Sequence, residues 1–81
     1  MKVKVFDYVE NGCSYALWAV VAFAASSPYI SHGLVENGNT GTVIPLNLGQ
    51  LLEQSQPYNV PLLVHEEIQR REMELRDYQP E

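Results

Sequence analysis

The chain is poor in the residues that most small functional sites are built from. It has one cysteine, Cys13, so no disulfide can form within it. With only His32 and His65 besides, a zinc site of four Cys and His ligands is excluded. The five glycines, Gly12, Gly33, Gly38, Gly41 and Gly49, spell neither GxGxxG nor GxxxxGK[ST], so no phosphate-cradling loop is present. His65-Glu66 begins like a zinc-protease helix, but the residue four positions on is Gln69 rather than a second histidine. No pair of carboxylates is set apart as a general acid and base. No catalytic, metal-ligating or cofactor-binding residue is therefore nominated. A small enzyme built on Cys13 or a histidine is the weakest of the function classes, since nothing in the spacing of Cys13, His32 and His65 suggests a nucleophile and base.

Positive charge is also scarce. Five basic residues face ten acidic ones, for a formal net charge of −5. The one basic cluster, Arg70, Arg71 and Arg76, is interleaved with Glu66, Glu67, Glu72, Glu74 and Asp77. Nucleic-acid binders carry a basic patch or stripe, so direct contact with nucleic acid is not expected, nor is an acidic lipid surface. Long apolar runs are missing too. Tyr15 to Ala25 is unbroken but spans eleven residues, against about 20 for a membrane-crossing helix. It has the length of a signal-peptide core, yet Asp7 and Glu10 cancel Lys2 and Lys4 where a net basic segment belongs. A cytoplasmic protein with no membrane role is the expectation, and a lone cysteine is compatible with a reducing compartment.

What is present is apolar content and an uneven distribution of charge. With 46% hydrophobic residues the chain is too apolar for intrinsic disorder, and 81 residues suffice for one domain, 1–81. From Asn11 to Leu52 the only formally charged residue is Glu36. Solvent-facing surfaces normally carry interspersed charge, so that half is buried, covered by a partner, or wetted by its many Ser, Asn, Thr and Gly residues; the last is preferred for the loops and burial for the apolar run.

Lys2 to Val9 alternates and is rich in β-branched and aromatic residues, which predicts a strand. Asn11-Gly12 then signals a tight turn. Two readings compete for the next segment. A two-residue hairpin would pair Phe6 with Leu17 and Tyr8 with Tyr15. A helix over residues 15–25, capped by Ser14, would exploit its alanine and leucine content, and it is preferred because alanine is depleted in strands. Apolar on every side, that helix would be the central buried element.

Ser26-Ser27-Pro28 would end it. Residues 29–36 and 41–46 flank the turn Asn37 to Thr40 and predict a hairpin, with Pro45 at a strand end or sheet edge. Val-Glu-Asn-Gly occurs at 9–12 and again at 35–38, without matching surroundings, which indicates a reused turn. Asn47 is placed to cap a short helix over 48–54. A final helix over 61–78 carries the stripe Val64, Ile68, Leu75 and Tyr78 and the pairs Glu66–Arg70, Glu67–Arg71 and Glu72–Arg76. The tail, Gln79-Pro80-Glu81, is expected to fray. The fold class is α+β: an N-terminal strand, a buried Ala-rich helix, a β-hairpin, a short helix and a C-terminal amphipathic helix.

These features point to a small acidic non-catalytic binding protein that inhibits or modulates a macromolecular partner, of the phage-inhibitor, immunity or antitoxin kind. Its partner-binding residues are expected on the last helix and beside it: Glu66, Glu67, Arg70, Glu72, Glu74, Asp77, Tyr58 and Tyr78. The acids could meet a protein with a basic nucleic-acid-binding surface. The alternative is a homo-oligomeric assembly module, with a homodimer formed through the uncharged middle.

Overall fold

A computed structural model describes the backbone of residues 1–25 and 27–78, and side chains as far as residue 72. The order of elements is β1 (Lys2–Glu10), β2 (Cys13–Ala24), β3 (Ser27–Asn37), β4 (Val43–Leu46), α1 (Leu48–Gln54) and α2 (Val60–Tyr78). The four strands form one antiparallel meander in the order β1-β2-β3-β4, so the α+β class holds.

The Ala-rich segment expected as a helix is strand β2. Asn11 and Gly12 both take positive φ, 51° and 77°, the geometry of a two-residue turn that matches strand twist. The turn fixes the register, and Phe6 pairs with Leu17 and Tyr8 with Tyr15. Helix propensity is a weak prior that tertiary pairing overrides. Here β2 is hydrogen-bonded on both sides, and Tyr15, Trp18, Val20, Val21 and Phe23 supply the β-branched and aromatic content of a central strand. Ser14 is not a helix cap; it lies in β2, and its N–H donates to Oδ1 of Asn39 at 2.8 Å.

The second hairpin forms as expected, with β3 beginning two residues earlier and β4 two residues later. Asn37 shapes its turn: Oδ1 accepts from the backbone N–H of Asn39 and Thr40, and its carbonyl accepts from Gly41, whose φ is +78°. Pro45 sits in the edge strand β4, where a missing N–H costs no ladder bond. Two register shifts, at Val5 of β1 and Ser31 of β3, each insert one residue and bend the sheet.

Helix α1 starts on Asn47 as the sequence predicts, with Gln50 completing a reciprocal capping box. Helix α2 starts at Val60, one residue before expected, and Oδ1 of Asn59 accepts from the N–H of Leu62 at 3.1 Å. Both helices cover the same face of the sheet. There Val3, Val5, Leu17, Ala19, Val21, Val35 and Leu46 meet Leu51 of α1 and Val60 and Val64 of α2. Gly33 is needed for this approach, because a Cβ at that position would stand 2.8 Å from Cδ1 of Leu51. Of the stripe expected on α2, Val64 is buried and Ile68 half-buried, while the side chains of Leu75 and Tyr78 lie outside the described residues. The tail, residues 79–81, lies outside them as well.

Candidate functional site

Among the described residues nothing covers the opposite face of the sheet, and the register lays out its middle in three rows. The first holds Lys2, Val20 and His32. The second holds Lys4, Trp18, Leu34 and Pro45. The third holds Asp7, Ala16, Glu36 and Val43. Side chains alternate along a strand, so these residues are the complement of the helix-covered set. The open side of an antiparallel sheet is normally polar. Here the centre is Ala16, Trp18, Val20 and Leu34, and charge is confined to Lys2, Lys4, Asp7 and Glu36, which sum to zero.

Trp18 is the hub. The ammonium groups of Lys2 and Lys4 lie 4.6 and 5.2 Å from its ring centroid. A lysine over a tryptophan at an exposed site contributes about 0.5–1 kcal/mol. Lys2 also reaches Glu36 at 3.8 Å and Lys4 reaches Asp7 at 3.4 Å. These exposed ion pairs add little stability, so their role is to hold the lysine stems across the indole. The indole N–H is screened from solvent and meets no acceptor among the described residues. Beside the ring, Lys4, Asp7, Ser14, Trp18 and Glu36 line an open cleft of about 470 Å³.

The two Val-Glu-Asn-Gly turns lie side by side at one end of this face. The N–H of Gly38 donates to the carbonyl of Ser14 at 2.8 Å, and Asn39 accepts from Ser14. On the covered side of the same end, Tyr8 and Tyr15 stack at 5.2 Å. Burial pushes both phenols above their usual range, and the nearby Glu10 carboxylate adds to the shift.

The residues singled out from sequence lie elsewhere. Tyr58 is half exposed and stacks on Phe6 at 5.3 Å, on the helix-covered side. On α2, Glu66 and Glu72 are exposed, and Glu67 is half-buried. Glu67 accepts hydrogen bonds from both Arg70 and Arg71, and these bonds hold its carboxyl below the ordinary carboxylate range. The pair Glu67–Arg71 is thus formed as expected. Up to residue 72 this helix sets three carboxylates against two guanidiniums, so its acidity there is largely internal. The side chains of Glu74, Asp77 and Tyr78, and the pair Glu72–Arg76, lie outside the described residues.

Cys13, His32 and His65 are not brought together. His32 is on the open face with Nδ1 at 3.0 Å from Oγ of Ser31, while His65 is on α2 across the sheet. Cys13 stands seven residues along β2 from the partner of His32, about 23 Å at strand spacing. Among the described residues no group of three His, Cys, Asp or Glu is arranged to hold a metal ion. Among them too, no helix is long and apolar enough to cross a membrane. No family model, curated protein or solved structure matches the chain.

The open face was missed from sequence because its strand was read as a helix. The signal was nonetheless present. In β2 both the inward residues Leu17, Ala19 and Val21 and the outward residues Trp18, Val20 and Ala22 are apolar.

Proposed function

We propose that this chain is a small non-catalytic binding protein whose contact surface is the open face of its sheet. The observation that carries this is Trp18: a large aromatic residue at the centre of an uncovered, charge-neutral face, flanked by Val20 and Leu34. Tryptophan is among the residues that anchor protein interfaces, and an apolar centre with a charged rim is how such surfaces are built. A partner that supplied an acceptor to the indole N–H would remove the cost of leaving that donor unpaired. The protein belongs by this reading with inhibitors and modulators that act by contact, in a reducing, cytoplasmic setting compatible with the single Cys13. The acidic helix is the second candidate surface, supported by the exposure of Glu66 and Glu72.

Two variants separate the surfaces. In Trp18→Lys the open face is disrupted, and in Glu66→Lys/Glu72→Lys the helix charge is reversed. With circular dichroism showing both folded, loss of partner retention in the first and its persistence in the second is the expected result. Retention that survives Trp18→Lys would overturn the assignment to the open face.

A further inference from the structure

The rows of the open face carry a pattern that says what can cover it. One outer row bears Lys2 and His32, the other bears Asp7 and Glu36. The row between them bears Lys4, Trp18, Leu34 and Pro45. Lys2 and the His32 imidazole thus lie on one side of the Trp18 row and the two carboxylates on the other, on the same two strands, with Lys4 on the row itself. A two-fold axis running across the strands along that middle row exchanges the outer rows. It sets Lys2 over Asp7 of a second copy, Glu36 over His32, Trp18 against Trp18, and Lys4 beside Lys4.

From this, and resting on the reading of the open face as the contact surface, we propose that the occupant of that face is a second copy of this chain. The product is a symmetric sandwich of two four-stranded sheets with the helices outermost. Such an isologous contact requires a self-complementary patch, and the three rows provide one. Charge favours the same surface. Two chains of net charge −5 repel, and the open face, with Lys2 and Lys4 against Asp7 and Glu36, offers a region where they meet without excess like charge. The area is adequate. Central strands of 12 and 11 residues in a four-stranded sheet give a face roughly 40 Å by 15 Å, on the order of 600 Å² before side-chain relief, near the ~800 Å² per partner of a standard interface. Facing sheets pack with strands about 30° apart, which keeps the outer rows of one copy over those of the other. Lys4 lies on the axial row with its ammonium 5.2 Å from the Trp18 ring centroid, and it faces Lys4 of the second copy while each stays on its own Asp7. Asp7 then bridges that lysine and Lys2 of the second copy, and Lys2 gives up Glu36 to make this contact.

Sedimentation velocity on the full chain, from about 1 µM to about 500 µM, tests the proposal. The expected result is a monomer–dimer equilibrium. Because Trp18 is the one tryptophan in the chain, its fluorescence should shift to the blue and resist acrylamide quenching as the dimer forms. Trp18→Glu should be monomeric throughout. Asp7→Lys, which sets two lysines together, should weaken the dimer about tenfold or more. Adding Lys2→Asp to it should restore the dimer, a rescue that a merely local effect on folding does not produce. A wild-type chain that stays monomeric overturns the proposal and leaves the open face to be judged by the partner-retention experiment above. A dimer that persists in Trp18→Glu with wild-type affinity overturns both. Failure of the charge swap to rescue overturns the two-fold arrangement.

Discussion

The two faces of strand β2 are made of nearly the same material and meet different fates. Inward, Leu17, Ala19 and Val21 are all but inaccessible beneath α1 and α2. Outward, Trp18, Val20 and Ala22 are half-buried, and among the described residues only the lysines at Trp18 and the neighbouring strands lie against them. The fold requires the first set to be apolar, since burying such side chains is what balances the entropy of ordering a short chain. It makes no such demand of the second set, because the open side of an antiparallel sheet is stable when polar. The outward apolar residues therefore point to something beyond the protomer. The largest expected effect follows from setting consecutive residues against each other. Leu17→Ala removes a fully buried side chain and should cost about 2–5 kcal/mol in chemical denaturation, enough to threaten folding in a domain of this size. Trp18→Ala, measured dilute enough to keep the chain monomeric, should cost about 1 kcal/mol, mainly the lost lysine contacts. Equal losses would mean that the open face is as structural as the covered one.

A sharper version uses the point where the covered face is tightest. Gly33 pairs with Ala19 on β2 and Leu46 on β4, directly under Leu51. A methyl group there would fall 2.8 to 3.2 Å from three atoms of the Leu51 side chain. Gly33→Ala should thus destabilise by about 1–3 kcal/mol. In the background of Leu51→Ala part of that penalty should vanish, because Cδ1 and Cγ are gone and only the Cβ contact at 3.0 Å remains, and the double-mutant cycle should show a favourable coupling. Additive losses would place the strain in the strand backbone instead of the helix contact.

The turn that joins β1 to β2 offers a smaller test of what assigns residues to faces. Gly12 has φ +77° with open space around the position of a Cβ, so Gly12→Ala adds backbone strain and no clash. It should cost about 1 kcal/mol in the same denaturation measurement and leave the register, hence both faces, unchanged. A one-residue slip would turn Trp18 inward and Leu17 outward. A Trp18 fluorescence maximum that moves strongly to the blue in dilute Gly12→Ala would reveal such a slip.

The same turn shows how far the sequence could be read. Asn11-Gly12 names a hairpin by its φ requirements, and the pairs it implies, Phe6 with Leu17 and Tyr8 with Tyr15, are those formed. Asn47 as a helix cap, and Pro45 at a strand end or sheet edge, were equally legible because each depends on local chemistry. The central strand was not. A strand announces itself by alternation, and β2 has none, since one side packs on the helices while the other side is also apolar. With the period erased, alanine content favoured a helix. The feature that hid the strand is the feature that marks its outer face. The proposed contact surface was also obscured because its charges, Lys2, Lys4, Asp7 and Glu36, are scattered over 35 positions and only the register assembles them. The acidic residues of α2 drew attention because they are contiguous, and contiguity says nothing about what a surface is for.

The least effect is expected on that helix, where the chain has a third surface, charged and solvated. Glu67 is held by Arg70 and Arg71, one turn further along α2. These bonds keep its carboxyl below the ordinary value of 4.5 that it regains on unfolding. A group whose acidity is raised by folding stabilises the folded state above its unfolded value and loses that contribution as pH falls through its folded value. Glu67→Gln should therefore destabilise at neutral pH by about 0.2–0.5 kcal/mol, the range for exposed pairs on one helix face. The difference from the wild type should shrink below about pH 4.5 and be gone once the wild-type carboxyl is protonated. High salt should shrink it too, since the charges are near water. If the loss were several-fold larger, or persisted in acid, Glu67 would be anchoring α2 to the sheet and the helix would belong with the covered face. A small loss confined to neutral pH leaves it where its exposure puts it: a solvated outer wall behind the sheet, with the Trp18 face as the proposed contact surface.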